Sequence, residues 1–219
     1  MLHPKDVELF AEHPDPIHEA MMRDHPGCVN GTLPYYAPLI HFLIKASTGV
    51  NALEIGVAQG YTSYFMATAI HYNNRRFNMN GKYIGIDIGD KSEFFDEMRR
   101  RGLPVEFMHM DSLDAIPRIK DIEFDVIFQD GYHNTRHCLM ELELLYPKLK
   151  GNGDGYLVMH DVYAYCEEYY KLATTDPRYE WESVRFLNNY GLAICRKMEG
   201  YDHSKVFWPE GDCKTPGIM

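Results

Sequence analysis

Three features that define common classes of protein are missing from this sequence. None of its five cysteines forms a C-x-x-C pair, which argues against both a disulfide framework and a zinc ribbon. No apolar run approaches the roughly 18 residues of a membrane span. The opening residues MLHPKDVELF lack the apolar core of a signal peptide. The sequence therefore predicts a cytoplasmic protein with reduced cysteines and no membrane association.

Positive charge is also scarce. The 22 lysines and arginines are outnumbered by 32 aspartates and glutamates, so the formal net charge is −10. A surface of this sign repels phosphates, and we expect no nucleic-acid partner. No repeat or Gly/Ser linker divides the 219 residues, which predicts one domain. Its parts are a helical N-terminal extension over 1–34, a catalytic core over 35–196 and a tail over 197–219.

Short apolar runs alternate with segments of helical period along the core. Strands are predicted over 51–55, 82–87, 105–109, 124–129 and 156–160. Helices are predicted over 35–47, from about 62, and over 92–101, 113–119 and 136–149. The last two strands, over 181–187 and 191–196, are predicted to form an antiparallel hairpin. This order predicts an α/β fold: a doubly wound, mostly parallel seven-stranded sheet with an antiparallel C-terminal hairpin.

The run NALEIGVAQGYTS contains the first strand and the turn that follows it. Gly56 and Gly60 permit a tight turn that brings the backbone close to a ligand. The N–H groups at the start of the next helix, at Tyr61 and Thr62, can receive a carboxylate or a phosphate. The third glycine of a dinucleotide fingerprint is absent. The carboxylate of Glu54 instead suits a ligand that carries an ammonium group and a sulfonium.

Polar residues also follow the second and third predicted strands. Asp87 can accept hydrogen bonds from both hydroxyls of a ribose; the alternative is a turn or capping aspartate, although Asp90 is the better candidate for a cap. Asp111 and Ser112 suit the amino group of an adenine. Asp111 could equally cap the short helix that follows.

The fourth and fifth predicted strands end in FDVIFQDGYH and GYLVMHDV. Asp130 and Asp161 can converge on one divalent cation, and oxygen ligands of this kind suit Mg²⁺, Mn²⁺ or Ca²⁺. His133 either acts as a general base or caps the helix that begins near residue 134. His160 either joins the metal ligands or anchors the loop of Asp130.

Together these motifs resemble the class I S-adenosylmethionine-dependent methyltransferases, over residues 35–196. The D-G-x-H run at Asp130 and the later H-D pair are similar to the metal-dependent O-methyltransferases that include macrolide-sugar enzymes and relatives of cephalosporin hydroxylases. The resemblance implies a Rossmann-like fold and S-adenosylmethionine as cofactor. It implies that Asp130 and Asp161 bind a metal and that His133 is the base. Sugar-modifying members often carry an acid where this chain has His160, and an imidazole there favours a transition metal.

The resemblance thus implies a cofactor site made of Glu54, Gly56, Gly60, Tyr61, Thr62, Asp87, Asp111, Ser112 and Asp130. The implied reaction is methylation of a hydroxyl on a small molecule such as a sugar, a phenol or a natural product. The alternative is a protein of this fold that binds S-adenosylmethionine without transferring methyl, or that catalyses another metal-dependent reaction. Tyr35 and Tyr36 line the substrate pocket or belong to the core. The tail covers the site or supports a homo-oligomer, and the sequence does not decide between these roles.

Overall fold

The computed structural model describes residues 36–187 and 190–202. Its seven strands are β1 (Ala52–Ile55), β2 (Tyr83–Asp87), β3 (Val105–His109), β4 (Val126–Gln129), β5 (Tyr156–His160), β6 (Trp181–Phe186) and β7 (Leu192–Lys197). They form one sheet in the order β3-β2-β1-β4-β5-β7-β6. β1 to β5 pair in parallel, and β7 pairs antiparallel with β5 and β6. The predicted sheet and its hairpin are confirmed, whereas the predicted extension over 1–34 lies outside the described residues.

Within the described ranges six α-helices accompany the sheet: α1 (Ala37–Ala46), α2 (Tyr61–Phe77), α3 (Ser92–Arg100), α4 (Ser112–Ala115), α5 (Thr135–Leu145) and α6 (Glu167–Thr175). Buried residues of α1, α2 and α3 share one core cluster with one face of the sheet. Buried residues of α4, α5 and α6 share a second cluster with the other face. Because both faces are covered, the central strands β1 and β4 are buried at every residue rather than at alternate ones. None of the helices in the described ranges is long and apolar enough to cross a bilayer.

The structure differs from the prediction at the end of α5. The predicted buried stripe of Cys138, Leu142, Leu145 and Leu149 is confirmed, but the α-helix ends at Leu145 and a 3₁₀ turn, Tyr146–Lys148, follows. Pro147 explains the change, because proline lacks the N–H that the next α-helical hydrogen bond needs.

The sequence analysis assigns no element between β5 and residue 181, and the helix α6 lies there. Its signal is weak because only Tyr169 and Ala173, spaced i and i+4, are buried. The ion pair between Lys171 Nζ and Glu167 Oε1, 2.9 Å long, has the same spacing on the exposed side. Nine residues with so narrow an apolar face are hard to recognise by period.

A buried carboxylate joins β1, β2 and α2. Glu54 on β1 is 1% exposed, and its side chain accepts hydrogen bonds from the hydroxyls of Ser63 on α2 and Tyr83 on β2. Burial raises the pKa of Glu54 to about 8, against the opposing effect of these two hydrogen bonds. The acid therefore holds the first turn of α2 against the sheet.

Two strand ends touch where the chain crosses between the halves of the sheet. β1 lies between β2 and β4. The chain therefore runs from β1 to β2 and β3 on one side of it and then crosses to β4 on the other side. Gly56 follows β1 with φ +87°, and a Cβ there would overlap the carbonyl oxygen of Asp130. The absence of a side chain at Gly56 thus lets the turns after β1 and β4 pack directly together.

We expect Gly56→Ala to destabilise the fold more than Gly102→Ala. Both glycines have a positive φ, +87° and +80°, but nothing lies within 4 Å of a Cβ at Gly102. Alanine at Gly102 therefore measures backbone strain alone, about 1–2 kcal/mol. Alanine at Gly56 adds a backbone collision costing about 1–3 kcal/mol more. Urea unfolding of both variants measures the difference, and equal losses would contradict the close approach.

We also expect Glu54→Gln to change how stability depends on pH. The folded protein keeps the Glu54 proton up to about pH 8, whereas the unfolded chain releases it near pH ~4.3. Between these values the folded state binds more protons, so this residue lowers wild-type stability as pH rises, by at most about 1.4 kcal/mol per pH unit. Glutamine cannot titrate and removes this contribution. The midpoints of urea unfolding between about pH 4 and pH 8 measure this contribution, and Glu106→Gln, at an exposed position, is the control. Stability profiles of the wild type and Glu54→Gln that run parallel across this pH range would refute the prediction.

Candidate active site

A cavity of about 600 Å³ opens at the carboxyl edge of the sheet, beside the point where β1 meets β4. Such a crossing point is where open α/β sheets bind ligands. Five of the residues predicted to bind the cofactor line this cavity: Gly56, Asp87, Asp111, Ser112 and Asp130. The sheet topology has therefore brought the ends of β1, β2, β3 and β4 to one concave surface.

The remaining predicted cofactor residues support the turn after β1 rather than the cavity wall. Glu54 lies beneath the turn, paired with Ser63 and Tyr83. Gly60, with φ +82°, occupies the cap position of α2, and Tyr61 behind it is buried. Their direct contact with a ligand stays a prediction.

Thr62 differs from its neighbours in having an unused polar group. It is 1% exposed, and its hydroxyl has no hydrogen-bond partner among the residues that the structure describes. Buried hydroxyls are normally paired because an unpaired one costs free energy. This orphaned hydroxyl lies in the first turn of α2 and is not among the residues that line the cavity, so its contact with a ligand stays a prediction.

Asp87 organises the turn after β1 through its carboxylate. Oδ2 accepts hydrogen bonds from the backbone N–H groups of Val57 (2.9 Å) and Ala58 (3.0 Å). Oδ1 accepts one from Gly89 at 2.6 Å. A carboxylate has about four acceptor positions, so about one remains for a ligand. The turn role considered for Asp87 is therefore present, while Asp90 accepts from the N–H of Ser92 at the start of α3.

Asp111 caps α4, as one of the two sequence alternatives predicts. Its Oδ1 accepts a hydrogen bond from the N–H of Leu113 at 2.8 Å. The following residue, Ser112, turns its hydroxyl inward and donates to Glu141 on α5. Both residues still line the cavity, so capping and ligand contact are compatible at this position.

Two residues of α5 that the sequence analysis does not identify complete this end of the cavity. His137 and Glu141 line it, with His137 Nε2 lying 3.1 Å from Glu141 Oε1 and 3.1 Å from the Ser112 hydroxyl. Burial raises the pKa of Glu141, against hydrogen bonds from Ser112 and Gln129. The signal in the sequence is a histidine and an acid at i and i+4 on a helix whose neighbouring positions are apolar.

An acid–histidine cluster adjoins the cavity where β4 and β5 end. His133 Nε2 lies 2.9 Å from Asp161 Oδ2 and 3.5 Å from Asp130 Oδ1. His160 Nδ1 lies 2.9 Å from Asp130 Oδ1 and 3.4 Å from Asp161 Oδ1. Asp161 has φ +58°, a left-handed conformation that aspartate tolerates better than most residues. Each of the two histidines therefore contacts both of the carboxylates predicted to bind a metal.

The two carboxylates make both histidines strongly basic. Hydrogen bonds to Asp130 and then Asp161 raise the pKa of His133 to about 10. Burial opposes the charged form of His160, yet hydrogen bonds to the same carboxylates raise its pKa to about 9. Burial also opposes the charged form of Asp161, but hydrogen bonds from the histidines hold its pKa below the ordinary range. The positive charges of the two imidazolium groups thus balance the negative charges of the two carboxylates.

Asp130, His133 and Asp161 offer ligand atoms that all lie within 4.8 Å of one another. Two carboxylates and an imidazole are a donor set that fits a divalent cation, and the imidazole favours a transition metal. His160 is not part of this group; it contacts Asp130, as the anchoring alternative predicts. Its role as a metal ligand stays a prediction.

Two other sequence alternatives concern residues around this cluster. The cap of α5 is Asn134, whose Oδ1 accepts from the N–H of His137 at 3.1 Å, so His133 does not cap that helix. Tyr36 is 2% exposed and belongs to the core. Its ring packs edge-on against the ring of His160, with the two centroids 5.8 Å apart. Tyr35 lies outside the described residues.

Comparisons with known proteins agree with this architecture. A family profile described as a methyltransferase domain matches residues 53–162, which contain the cavity and the cluster. No curated protein sequence matches the chain. A cofactor-bound structure of Rv0187 from MTB is 14% identical, with a TM-score of 0.67, and covers 90% of this chain and 98% of its own.

Two further solved structures share the fold. An O-methyltransferase from Bacillus cereus, in complex with SAH, is 16% identical with a TM-score of 0.65, over 88% of this chain and 96% of its own. The O-methyltransferase TomG from Streptomyces achromogenes, involved in tomaymycin synthesis, has been solved in complex with SAM. It is 15% identical with a TM-score of 0.63, over 90% of this chain and 100% of its own. Since the family profile covers half of the sequence and the fold is that of class I O-methyltransferases, the chain belongs to the methyltransferase-domain family.

Proposed function

We propose that this protein is an S-adenosylmethionine-dependent O-methyltransferase that acts on a hydroxyl of a small molecule with the help of a divalent cation, Mg²⁺ or Mn²⁺. One observation carries the proposal: Asp130 belongs both to the wall of the cavity and to the acid–histidine cluster. A cofactor in the cavity would therefore end beside the groups that can activate an acceptor.

The cavity walls match the parts of the proposed cofactor in order. Gly56, at the turn after β1, suits the methionine end. Asp87 keeps about one acceptor position for a ribose hydroxyl, and Asp111 and Ser112 suit the base. Two O-methyltransferases of the same fold are in complex with SAH and SAM, which supports the choice of cofactor.

The chemistry requires alignment and a base. In methyl transfer the sulfur–methyl bond breaks as the oxygen–methyl bond forms, so the sulfonium becomes a thioether and the hydroxyl proton must leave. Holding the two reactants in line supplies a large part of the rate. His133 is the best placed base, because its imidazole is 38% exposed and lies 3.5 Å from Asp130, which lines the cavity, while the other members of the cluster are more buried.

His133 can accept a proton at Nε2 only when this atom is neutral and is not itself bound to the cation, so in this proposal the two carboxylates hold the cation. With a pKa of about 10, the His133 imidazole stays charged at neutral pH when no other group offsets the negative charges of Asp130 and Asp161. A divalent cation held by these carboxylates would offset their charge and lower the pKa of an acceptor hydroxyl. The carboxylates therefore have two roles, since they bind the cation and set the protonation of the base.

The acceptor site lies around the exposed face of His133. The ring of Tyr165 stacks on His133 with centroids 5.6 Å apart and planes 5° apart. A sugar, a phenol or a natural product with a planar group fits such a surface, and we propose no narrower class. The free, buried cysteines Cys138, Cys166 and Cys195 support the predicted cytoplasmic setting. A homo-oligomer and the absence of a nucleic-acid partner stay predictions.

We expect the protein to bind S-adenosylhomocysteine and S-adenosylmethionine but not NAD, measured by isothermal titration calorimetry. Asp87→Asn should weaken S-adenosylhomocysteine binding by about tenfold, because a charge-assisted hydrogen bond becomes a neutral one. Asp90→Asn, three residues further on and outside the cavity, is the matched control. Failure of the wild type to bind either methionine-derived ligand would refute the proposal. Binding without methyl transfer to any hydroxyl in an acceptor panel would favour the non-transferring alternative.

We expect two variants of the cluster to affect different steps. Asp161→Asn keeps the side-chain shape and tolerates the positive φ, but it should weaken Mn²⁺ binding by at least about tenfold because one ligand charge is lost. His133→Ala should lower turnover by about 10²–10⁴ and change S-adenosylhomocysteine affinity little. Electron paramagnetic resonance of Mn²⁺ and steady-state kinetics measure the two effects. His71→Ala, in the C-terminal half of α2, is the control, and unchanged turnover in His133→Ala would place the base elsewhere.

A further inference from the structure

Two buried thiols lie close to the acid–histidine cluster, and the methyl-transfer chemistry does not use them. Cys138 belongs to α5, and Cys166 is the residue that caps the start of α6. Both are free thiols in buried positions. A hydrogen bond between the two side chains raises the pKa of the Cys138 thiol and lowers the pKa of the Cys166 thiol. The two sulfur atoms are therefore neighbours, although they lie on different elements.

The starts of α5 and α6 are also joined by a contact that does not involve the thiols. The hydroxyl of Thr135, in the first turn of α5, donates to Glu168 Oε2, in the first turn of α6, at 3.1 Å. Both helices bury residues in the same core cluster, to which Cys138 and Cys166 belong. The approach of the two sulfur atoms is thus a consequence of how the two helices pack.

Each cysteine is hydrogen-bonded to one of the two turns that carry the acid–histidine cluster. Cys138 Sγ donates to the carbonyl of Tyr132 at 3.2 Å, in the turn that contains His133. The N–H of Cys166 donates to the carbonyl of Asp161 at 3.0 Å. A chemical change at the two sulfur atoms would therefore act on the backbone on both sides of the cluster.

We infer that Cys138 and Cys166 are a site of reversible oxidation, at which a disulfide forms and weakens cation binding by the adjoining cluster. The formation of the disulfide is independent of the proposed function, whereas its effect on cation binding rests on that function. Because a disulfide holds its sulfur atoms about 2 Å apart, closer than a hydrogen bond does, oxidation must draw the two side chains together.

The oxidant that we propose is hydrogen peroxide. One thiolate attacks a peroxide oxygen, the O–O bond breaks, and a sulfenic acid and one water form. The second sulfur attacks the sulfenic sulfur, so that the S–S bond forms, the S–O bond breaks and a second water leaves. Both sulfur atoms are oxidised, both peroxide oxygens are reduced to water, and the protein loses two hydrogen atoms. A dithiol reductant reverses the change by thiol–disulfide exchange.

The disulfide disturbs the cluster because Cys138 loses the hydrogen that it donates. The carbonyl of Tyr132 then has no donor from this thiol, and the S–S bond draws α5 towards the cap of α6. The turn that contains His133 and the turn that begins at Asp161 both shift as a result. Metal–ligand distances tolerate changes of only about 0.2 Å, so small shifts of these turns weaken the binding of a cation.

Peptide mapping of the full-length protein tests whether the disulfide forms. After treatment with hydrogen peroxide, the remaining thiols are blocked with iodoacetamide in guanidinium chloride and the protein is digested with trypsin. The tryptic peptides 137–148 and 151–171, which contain the two cysteines, should be linked, and dithiothreitol should separate them. Cys195, buried in the same core cluster, is the internal control, and its peptide 186–196 should stay unlinked. Absence of the linked pair would overturn the inference.

Mn²⁺ binding tests the effect of the disulfide on the cluster, by electron paramagnetic resonance after removal of oxidant and reductant. Oxidation should raise the Kd of the wild type for Mn²⁺ by about tenfold, the lower end of the effect seen when groups behind metal ligands are altered. Dithiothreitol should restore the original Kd. Equal affinities of the oxidised and the reduced wild type would refute the effect on the cluster.

Cysteine variants separate this disulfide from other effects of peroxide. Cys166→Ala cannot form the bond, so its Kd for Mn²⁺ should not respond to oxidation, and Cys138→Ala replaces it if it folds poorly. Cys195→Ala is the matched control and should respond as the wild type does. A response that persists in Cys166→Ala would contradict the assignment. If the reduced wild type binds no Mn²⁺, the proposed metal site fails and the effect on it fails too, while the peptide map still decides whether the disulfide forms.

Discussion

The contact between Gly56 and the backbone of Asp130 is the constraint on which the site depends. The N–H of Gly56 donates to the carbonyl of Ile86 at 2.9 Å, and the N–H of Asp130 donates to the carbonyl of Ile55 at 2.9 Å. The ends of β2, β1 and β4 are thus tied together within one turn of chain. A side chain at Gly56 would displace the backbone of Asp130, the residue that the cavity and the cluster share.

The acids around this point are stabilised in three physically different ways. Asp87 accepts hydrogen bonds from backbone N–H groups, Asp161 is paired with two imidazoles, and Glu54 is buried so deeply that its proton is retained to about pH 8. Each environment leaves the carboxylate with a different capacity for ligands. Asp87 and Asp161 remain available to a ligand or a cation, whereas Oε2 of Glu54 accepts hydrogen bonds from both Ser63 and Tyr83.

Sequence patterns predicted the elements whose signal is local. The buried stripe of α5 has a clear helical period, and the five parallel strands are apolar runs, so these were recognisable without tertiary information. The helix α6 was missed because its buried face consists of little more than Tyr169 and Ala173. The position of Glu54 beneath the turn was also not predictable, because it depends on Ser63 and Tyr83, which lie on other elements.

The sequence by itself determined the alternation of strands and helices, the glycine-containing turn after β1 and the polar residues at the strand ends. These are properties of short segments, and the pairing of parallel strands then brings their carboxyl ends to one edge. Only the tertiary structure decided which polar side chains are paired with each other and which face the cavity. His160 contacts Asp130 from 30 residues away, and Ser112 contacts Glu141 from 29. Such pairs are set by the packing of separate elements, and no pattern within a single segment of the sequence encodes them.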